Sequence, residues 1–266
     1  MMPRRAATVL AWVVLATPVV APPVVAQPVV VDLPPIGVTQ PAESPERVPS
    51  WGDVFRSAGG DFLRLPSRES AAIIGVAGGL SLSVHQFDER VTRSASTSRV
   101  LDRVFVAGEI GGGGLVQIGG ALATYVLGRG TGRTRVAVVG ADLVRAQIVT
   151  SALTQGLKVS VRRRRPDGTR FSFPSGHTST TFATATVLQR RAGWRLGIPA
   201  YAFAAYVGAS RLQANRHYLS DVLFGAGLGI VSGRTVTVGR CRVTWVVQPV
   251  AAPGVMGVTF TRLGAR

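Results

Sequence analysis

Six apolar runs rich in glycine and alanine dominate the chain, at about 71–86, 104–128, 136–157, 177–189, 196–211 and 218–233. Each is long enough for a helix, although several fall short of the roughly 20 residues that cross a bilayer. Their small residues let helices approach closely, in lipid or out of it. Glu109, Asp142 and Arg145 interrupt two of the runs and have to face a bundle interior or a wet cavity. With 46% hydrophobic and only 16% charged residues, and a mean hydropathy of +0.29, the chain is neither disordered nor an ordinary cytosolic protein. The pattern predicts a mainly α fold, a helical bundle that is membrane-embedded or membrane-associated.

The flanks read differently. Arg4 and Arg5 precede an apolar stretch, and small residues at Val24 and Ala26 suit cleavage after Ala26, so residues 1–26 are expected to be a signal peptide or, uncleaved, an anchor. Ten of the 16 prolines fall within the first 49 residues. Residues 27–70 are therefore expected to be a Pro-rich linker and an amphipathic approach segment from Trp51. The helical core is expected over 71–233. In the tail, 234–266, alternation at Val243, Trp245 and Val247 and again at Val258 and Phe260, around Pro253-Gly254, predicts a short C-terminal β-hairpin.

Charge and cysteine content narrow the chemistry. Thirty Lys+Arg against 13 Asp+Glu leave a net charge of +17, which suits an anionic partner. One cysteine, Cys241, excludes an intrachain disulfide framework and a cysteine-rich zinc site, and three histidines leave little for a metal cluster. No metal or other cofactor is expected. Lys158 is the only lysine.

Three blocks of residues carry chemistry. The first is Lys158, six residues, then Arg165-Pro166; the second is Pro174-Ser175-Gly176-His177; the third is Ser210-Arg211, five residues, His217, three residues, Asp221. Lys158, Arg165 and Arg211 supply the positive charge that a phosphoryl group requires, arginine as a fork and lysine as a point charge. Pro174-Ser175-Gly176 precedes an apolar helical run, so free N–H groups at a helix N-terminus can cradle an anion, with the Ser175 hydroxyl beside them. Four residues separate His217 from Asp221, which places both on one helical face. A carboxylate on one ring nitrogen leaves the other free to attack, while His177 can protonate a leaving alkoxide. Each block alone has a plainer reading, a solvated basic loop or an ordinary helix start. Eleven specified residues in order favour a metal-free phosphoryl-transfer site.

These blocks resemble the type 2 phosphatidic acid phosphatase superfamily, the lipid phosphate phosphatases that share a core with vanadium haloperoxidases. The resemblance covers about 71–233, and all three blocks stand without a substitution. It implies Lys158, Arg165, Ser175, Gly176 and Arg211 as phosphate binders, His217 as the nucleophile that forms a phosphohistidine, His177 as general acid and Asp221 as the partner of His217. It implies a phosphoric monoester hydrolase acting on a lipid phosphate or pyrophosphate, of phosphatidic acid or isoprenyl-carrier type. The alternatives are a vanadium-dependent haloperoxidase, for which the chain lacks additional helices, and a periplasmic non-specific acid phosphatase. Arg162, Arg163 and Arg164 lie outside the blocks and are expected to draw anionic headgroups to the site. His85, in His85-Gln86-Phe87-Asp88, is expected to be structural.

The expected partners are a lipid phosphate substrate and a membrane, not nucleic acid. If the last four runs span, Arg129, Arg133 and Arg135, then Arg190, Arg191 and Arg195, then Arg234, Arg240 and Arg242 fall opposite the catalytic loops. The positive-inside rule then predicts a bacterial cell-membrane protein with an extracytoplasmic, periplasmic active site, provided that 71–86 does not cross. A soluble periplasmic protein is the alternative.

Overall fold

The computed structural model describes residues 47–96 and 103–237 with their side chains, and 99–102, 244–252 and 255–263 as backbone. The expected signal or anchor segment and the linker to residue 46 lie outside the described residues. Residues 46–238 form one helical unit. Its helices are α1 (Trp51–Arg64), α2 (Arg68–His85), α3 (Asp88–Ser96), α4 (Arg99–Gly111), α5 (Gly114–Gly130), α6 (Thr134–Val161), α7 (Gly176–Ala192), α8 (Trp194–Gln213) and α9 (Leu219–Val236). The apolar runs correspond to α2 and to α4 through α9, with the run 104–128 broken at its glycines into α4 and α5.

Small residues explain which helices meet. A Cβ at Gly233 of α9 would sit 2.6 Å from Thr186 Cβ of α7, and one at Gly225 would sit 2.8 Å from the Ser175 carbonyl oxygen. Helix α9 thus lies flush on α7, while α5 packs on α6, α2 on α9 and α8 on α7. The buried face of α6 is nearly continuous and includes Asp142, Arg145, Gln147, Thr150, Thr154 and Lys158. Among the described residues α6 is the one helix long and apolar enough to cross a membrane by itself. The pairs α2–α3, bent by 77°, and α4–α5, bent by 55°, qualify only if each counts as one span.

The unit begins earlier than residue 71. Helix α1 starts in a capping box, with Ser50 and Asp53 exchanging backbone-to-side-chain hydrogen bonds, and it buries Val54, Ala58 and Asp61. Asp61 accepts two hydrogen bonds from Arg145 of α6, at 2.6 and 2.8 Å. The approach segment from Trp51 is therefore part of the bundle, because its amphipathic face finds α6.

The C-terminal hairpin is not supported as a component of the fold. Backbone segments β1 (Thr244–Ala252) and β2 (Val255–Leu263) run in antiparallel register. They belong to a unit separate from the helices, and a two-stranded hairpin alone is marginal in water. The fold of the described helical unit is mainly α.

Candidate active site

One end of the bundle gathers the three blocks. Lys158 stands in the last turn of α6, Arg165 in the α6–α7 loop, Ser175 at the N-cap of α7 with Gly176 and His177 following, Arg211 in the last turn of α8, His217 in the α8–α9 loop, and Asp221 in the first turn of α9. The two loops are tied together: Arg216 donates to Asp167 at 2.8 Å, and the Ser175 N–H donates to the Asp221 carbonyl at 3.0 Å. The Thr169 hydroxyl and Arg216 hold the Asp167 carboxyl well below the ordinary carboxylate range. All eight residues singled out from the sequence thus meet at this end.

The donors are arranged for an anion. Arg165 Nε and both Nε and Nη1 of Arg211 are buried without a hydrogen-bond partner, although Arg211 is only 3% exposed. Ser175 does not cap α7; its hydroxyl instead accepts the Thr178 hydroxyl at 2.9 Å, which leaves the first N–H groups of the helix uncapped. The Lys158 ammonium donates to the Phe171 carbonyl at 2.6 Å. Buried guanidinium N–H donors without a partner, beside an uncapped helix N-terminus, are costly unless they serve a negative ligand.

The imidazoles differ in their surroundings. His217 is buried, and its Nδ1 stands 3.7 Å from Asp221 Oδ2, longer than a hydrogen bond, and has no other partner. Burial pulls its proton affinity down, the charges of Lys158 and Arg165 add to this, and Asp221 opposes them. Asp221 accepts the Tyr218 N–H at 2.9 Å on Oδ2, together with the Ser172 hydroxyl, and an Arg163 arm at 2.7 Å on Oδ1. Burial alone would raise its carboxyl, but His217, Ser172, Arg163 and the Tyr218 N–H hold it below the usual range. His177, half-buried, is lowered to about 4 by burial and then by Arg211 and His217, with Glu109 acting the other way.

Several side chains here were not legible as site residues. Glu109 of α4 places a carboxylate oxygen 3.5 Å from Arg211 Nη2. Ser172 lies just before Pro174-Ser175-Gly176-His177, and that lead-in was its only signal. Arg163 is not a free headgroup cation as the arginine run suggested; it is bonded into the start of α9. Neither Arg163 nor Glu109 has a local spacing that announces its partner, since each reaches across a long stretch of chain.

Comparison with known proteins follows this geometry. Residues 140–244, which include all three blocks, match the family model of the PAP2 superfamily. Over 80 residues the chain is 48% identical to a lipid A 1-phosphatase of Porphyromonas gingivalis, covering 29% of this chain and 18% of that protein. It is 29% identical over 97 residues to a lipid A 4'-phosphatase of Helicobacter pylori, covering 32% and 49%. It is 33% identical over 98 residues to a decaprenylphosphoryl-5-phosphoribose phosphatase of Mycobacterium tuberculosis, covering 33% and 54%. The chain therefore spans between about a fifth and about half of the length of these relatives. A transmembrane PAP2 type phosphatidylglycerolphosphate phosphatase from Bacillus subtilis aligns at TM-score 0.49 and 23% identity, covering 64% of this chain and 95% of that one. LpxE of Aquifex aeolicus aligns at the same score and identity, covering 56% and 94%. Residues 140–244 of this chain are thus similar to the PAP2 superfamily.

Proposed function

We propose that the protein is a membrane-associated phosphatase that removes phosphate from a lipid through a phosphohistidine intermediate. The observation that carries this reading is the set of buried, unpartnered donors on Arg165 and Arg211, grouped with His217 and the uncapped start of α7. Matched relatives are named for phosphates carried on lipids, which supports a lipid substrate over a soluble one.

The steps follow from the residues. Lys158, Arg165, Arg211 and the Ser175–Gly176 turn hold the phosphate oxygens and offset charge that builds in the transition state. His217, oriented through Nδ1 by Asp221, attacks phosphorus with Nε2, and the bond from phosphorus to the ester oxygen breaks. His177 delivers a proton to that oxygen. Water, giving its proton to His177, then attacks the phosphohistidine; inorganic phosphate leaves and His217 is restored.

Placement in a membrane has separate support. Leu82, Leu115 and Ile198 are 78%, 90% and 65% exposed, as lipid-facing side chains would be. Arg129, Arg133, Arg135, Arg190, Arg191, Arg195 and Arg234 lie at the helix ends away from the site, which favours a site facing out of the cytoplasm.

The test is phosphate release by detergent-purified protein in EDTA from phosphatidic acid, an isoprenyl pyrophosphate and p-nitrophenyl phosphate, with His217→Ala as control. EDTA-resistant, vanadate-sensitive release that is lost in the variant is the expected result. Release from the soluble ester alone would favour a non-specific acid phosphatase. No release from any of the three would overturn the proposal, and bromide oxidation after vanadate loading would then identify a haloperoxidase.

A further inference from the structure

Arg163 belongs to none of the three blocks, yet it is built into the centre of the site. Helix α6 ends at Val161, and the left-handed backbone of its C-cap Arg162 (φ 51°) reverses the chain and carries the next residue to the start of α9. There Nη1 donates to Asp221 Oδ1 and to the Ser220 hydroxyl, each at 2.7 Å. Nη2 donates to Asp88 Oδ2 at 2.8 Å and lies 3.3 Å from His85 Nδ1. The guanidinium carbon sits 4.2 Å from the centre of the Tyr218 ring.

The backbone of the same residue acts as well. Its carbonyl accepts the Ser172 N–H at 2.9 Å, and the Ser172 hydroxyl donates to Asp221 Oδ2. Asp221 is therefore held on both oxygens by one residue, directly and through Ser172. Asp88 accepts the Ser220 N–H at 2.9 Å and the Ser220 hydroxyl, so Arg163 stands between two buried carboxylates, Asp88 at the start of α3 and Asp221 in the first turn of α9.

We infer that Arg163 is a positioning residue for phosphoryl transfer: it fixes Asp221 so that Oδ2 is turned to His217, and it sets how much of the carboxylate's charge His217 feels. The inference rests on the proposed role of His217. A guanidinium on one carboxylate oxygen takes up part of the charge, so Asp221 orients the imidazole without making it strongly basic. Lys158 from α6, Arg165 from the following loop, His177 from α7 and Asp221 from α9 are the other ionisable groups that act on His217. With Arg163 removed, Asp221 is free to draw the proton to His217, and a nucleophile that is protonated cannot attack. A lysine keeps the charge but cannot reach Asp221 and Asp88 together as a planar fork does.

The experiment uses the full chain in detergent, with 15N-labelled histidine to follow ring titration by NMR. Resonances are assigned with His85→Ala and His177→Ala. For Arg163→Gln the His217 midpoint should rise by about one pH unit, and the acid limb of kcat for p-nitrophenyl phosphate should move with it. Measured on that limb, kcat should fall about tenfold while KM changes by less than about threefold, which is one pH unit converted to rate. Arg163→Lys, the gentler change should the glutamine variant not fold, should shift both readouts in the same direction but less. An unmoved His217 midpoint in the variants, or a raised KM at unchanged kcat, would overturn the inference and return Arg163 to headgroup attraction. Should the wild type release no phosphate, the phosphatase reading fails, and the titration still decides whether Arg163 governs His217.

Discussion

His177, lowered to about 4, is neutral in the free site at ordinary pH, so under the proposed mechanism the proton for the leaving group arrives with the substrate. A phosphomonoester loses its second proton near pH 6 or so. Its monoanion can hand that proton to His177 once the ester oxygens sit among Arg165, Arg211 and Lys158. The expected result is a kcat/KM that falls about tenfold per pH unit above the ester's own second ionisation. Comparing an acidic aryl phosphate with a less acidic alkyl phosphate checks this, because the alkaline limb should follow the ester. A limb that stays in place for both would assign the proton to the enzyme instead. The residue types of this chemistry were readable from spacing, since helix starts and i,i+4 pairs are local. Arg163 and Glu109 were not, because their partners Asp221 and Arg211 lie on helices that only packing brings near.

Helix α9 shows how an element carries the site. Its glycines leave room for α7, and a methyl group at Gly225 would press on the Ser175 backbone, with the carbonyl oxygen at 2.8 Å and the nitrogen at 3.4 Å. Gly225→Ala should therefore cost about 1–3 kcal/mol by overpacking and lower activity, since the displaced atoms belong to the N-cap of the helix proposed to hold the phosphate. Gly79 of α2 has nothing within 4 Å of its added Cβ. Gly79→Ala should be neutral or stabilise by about 0.5–1 kcal/mol, because alanine is the better helix former. Thermal unfolding and phosphate release of the two variants, measured together, check the pair. Equal stability loss in both would show that close approach is not what the glycines of α9 provide.

At the scale of the whole helical unit, a buried ionic chain joins three elements. Arg145 of α6 donates to Asp61 of α1 and, at 2.9 Å, to Asp142, and Asp142 also accepts Arg191 of α7. Asp61 and Asp142 are fully buried. Arg145→Leu leaves the buried Asp61 with only the half-exposed Arg64 at 3.4 Å and should destabilise the bundle by about 3–5 kcal/mol, whereas Asp61→Leu combined with Arg145→Met should lose less than Arg145→Leu alone. Chemical denaturation in detergent measures both. The exposed apolar side chains act at this scale too. Removal of detergent should drive the protein to aggregate, seen as loss of the discrete peak in size-exclusion chromatography, while transfer to lipid nanodiscs should preserve it.

Sequence alone determined that the core is helical and about where its apolar runs lie, because an apolar run acts within a few turns of chain, while the break between α4 and α5 and the helix α3 came only with the structure. Sequence likewise picked out the eight residues proposed for the site because each block is a short segment with its own spacing. Tertiary structure decided what those residues meet. It added α1 to the bundle through a buried ion pair and turned one arginine of a basic run into the clamp on Asp221. Contacts of that kind depend on which helix faces come flush, and no window of sequence contains both sides of such a face.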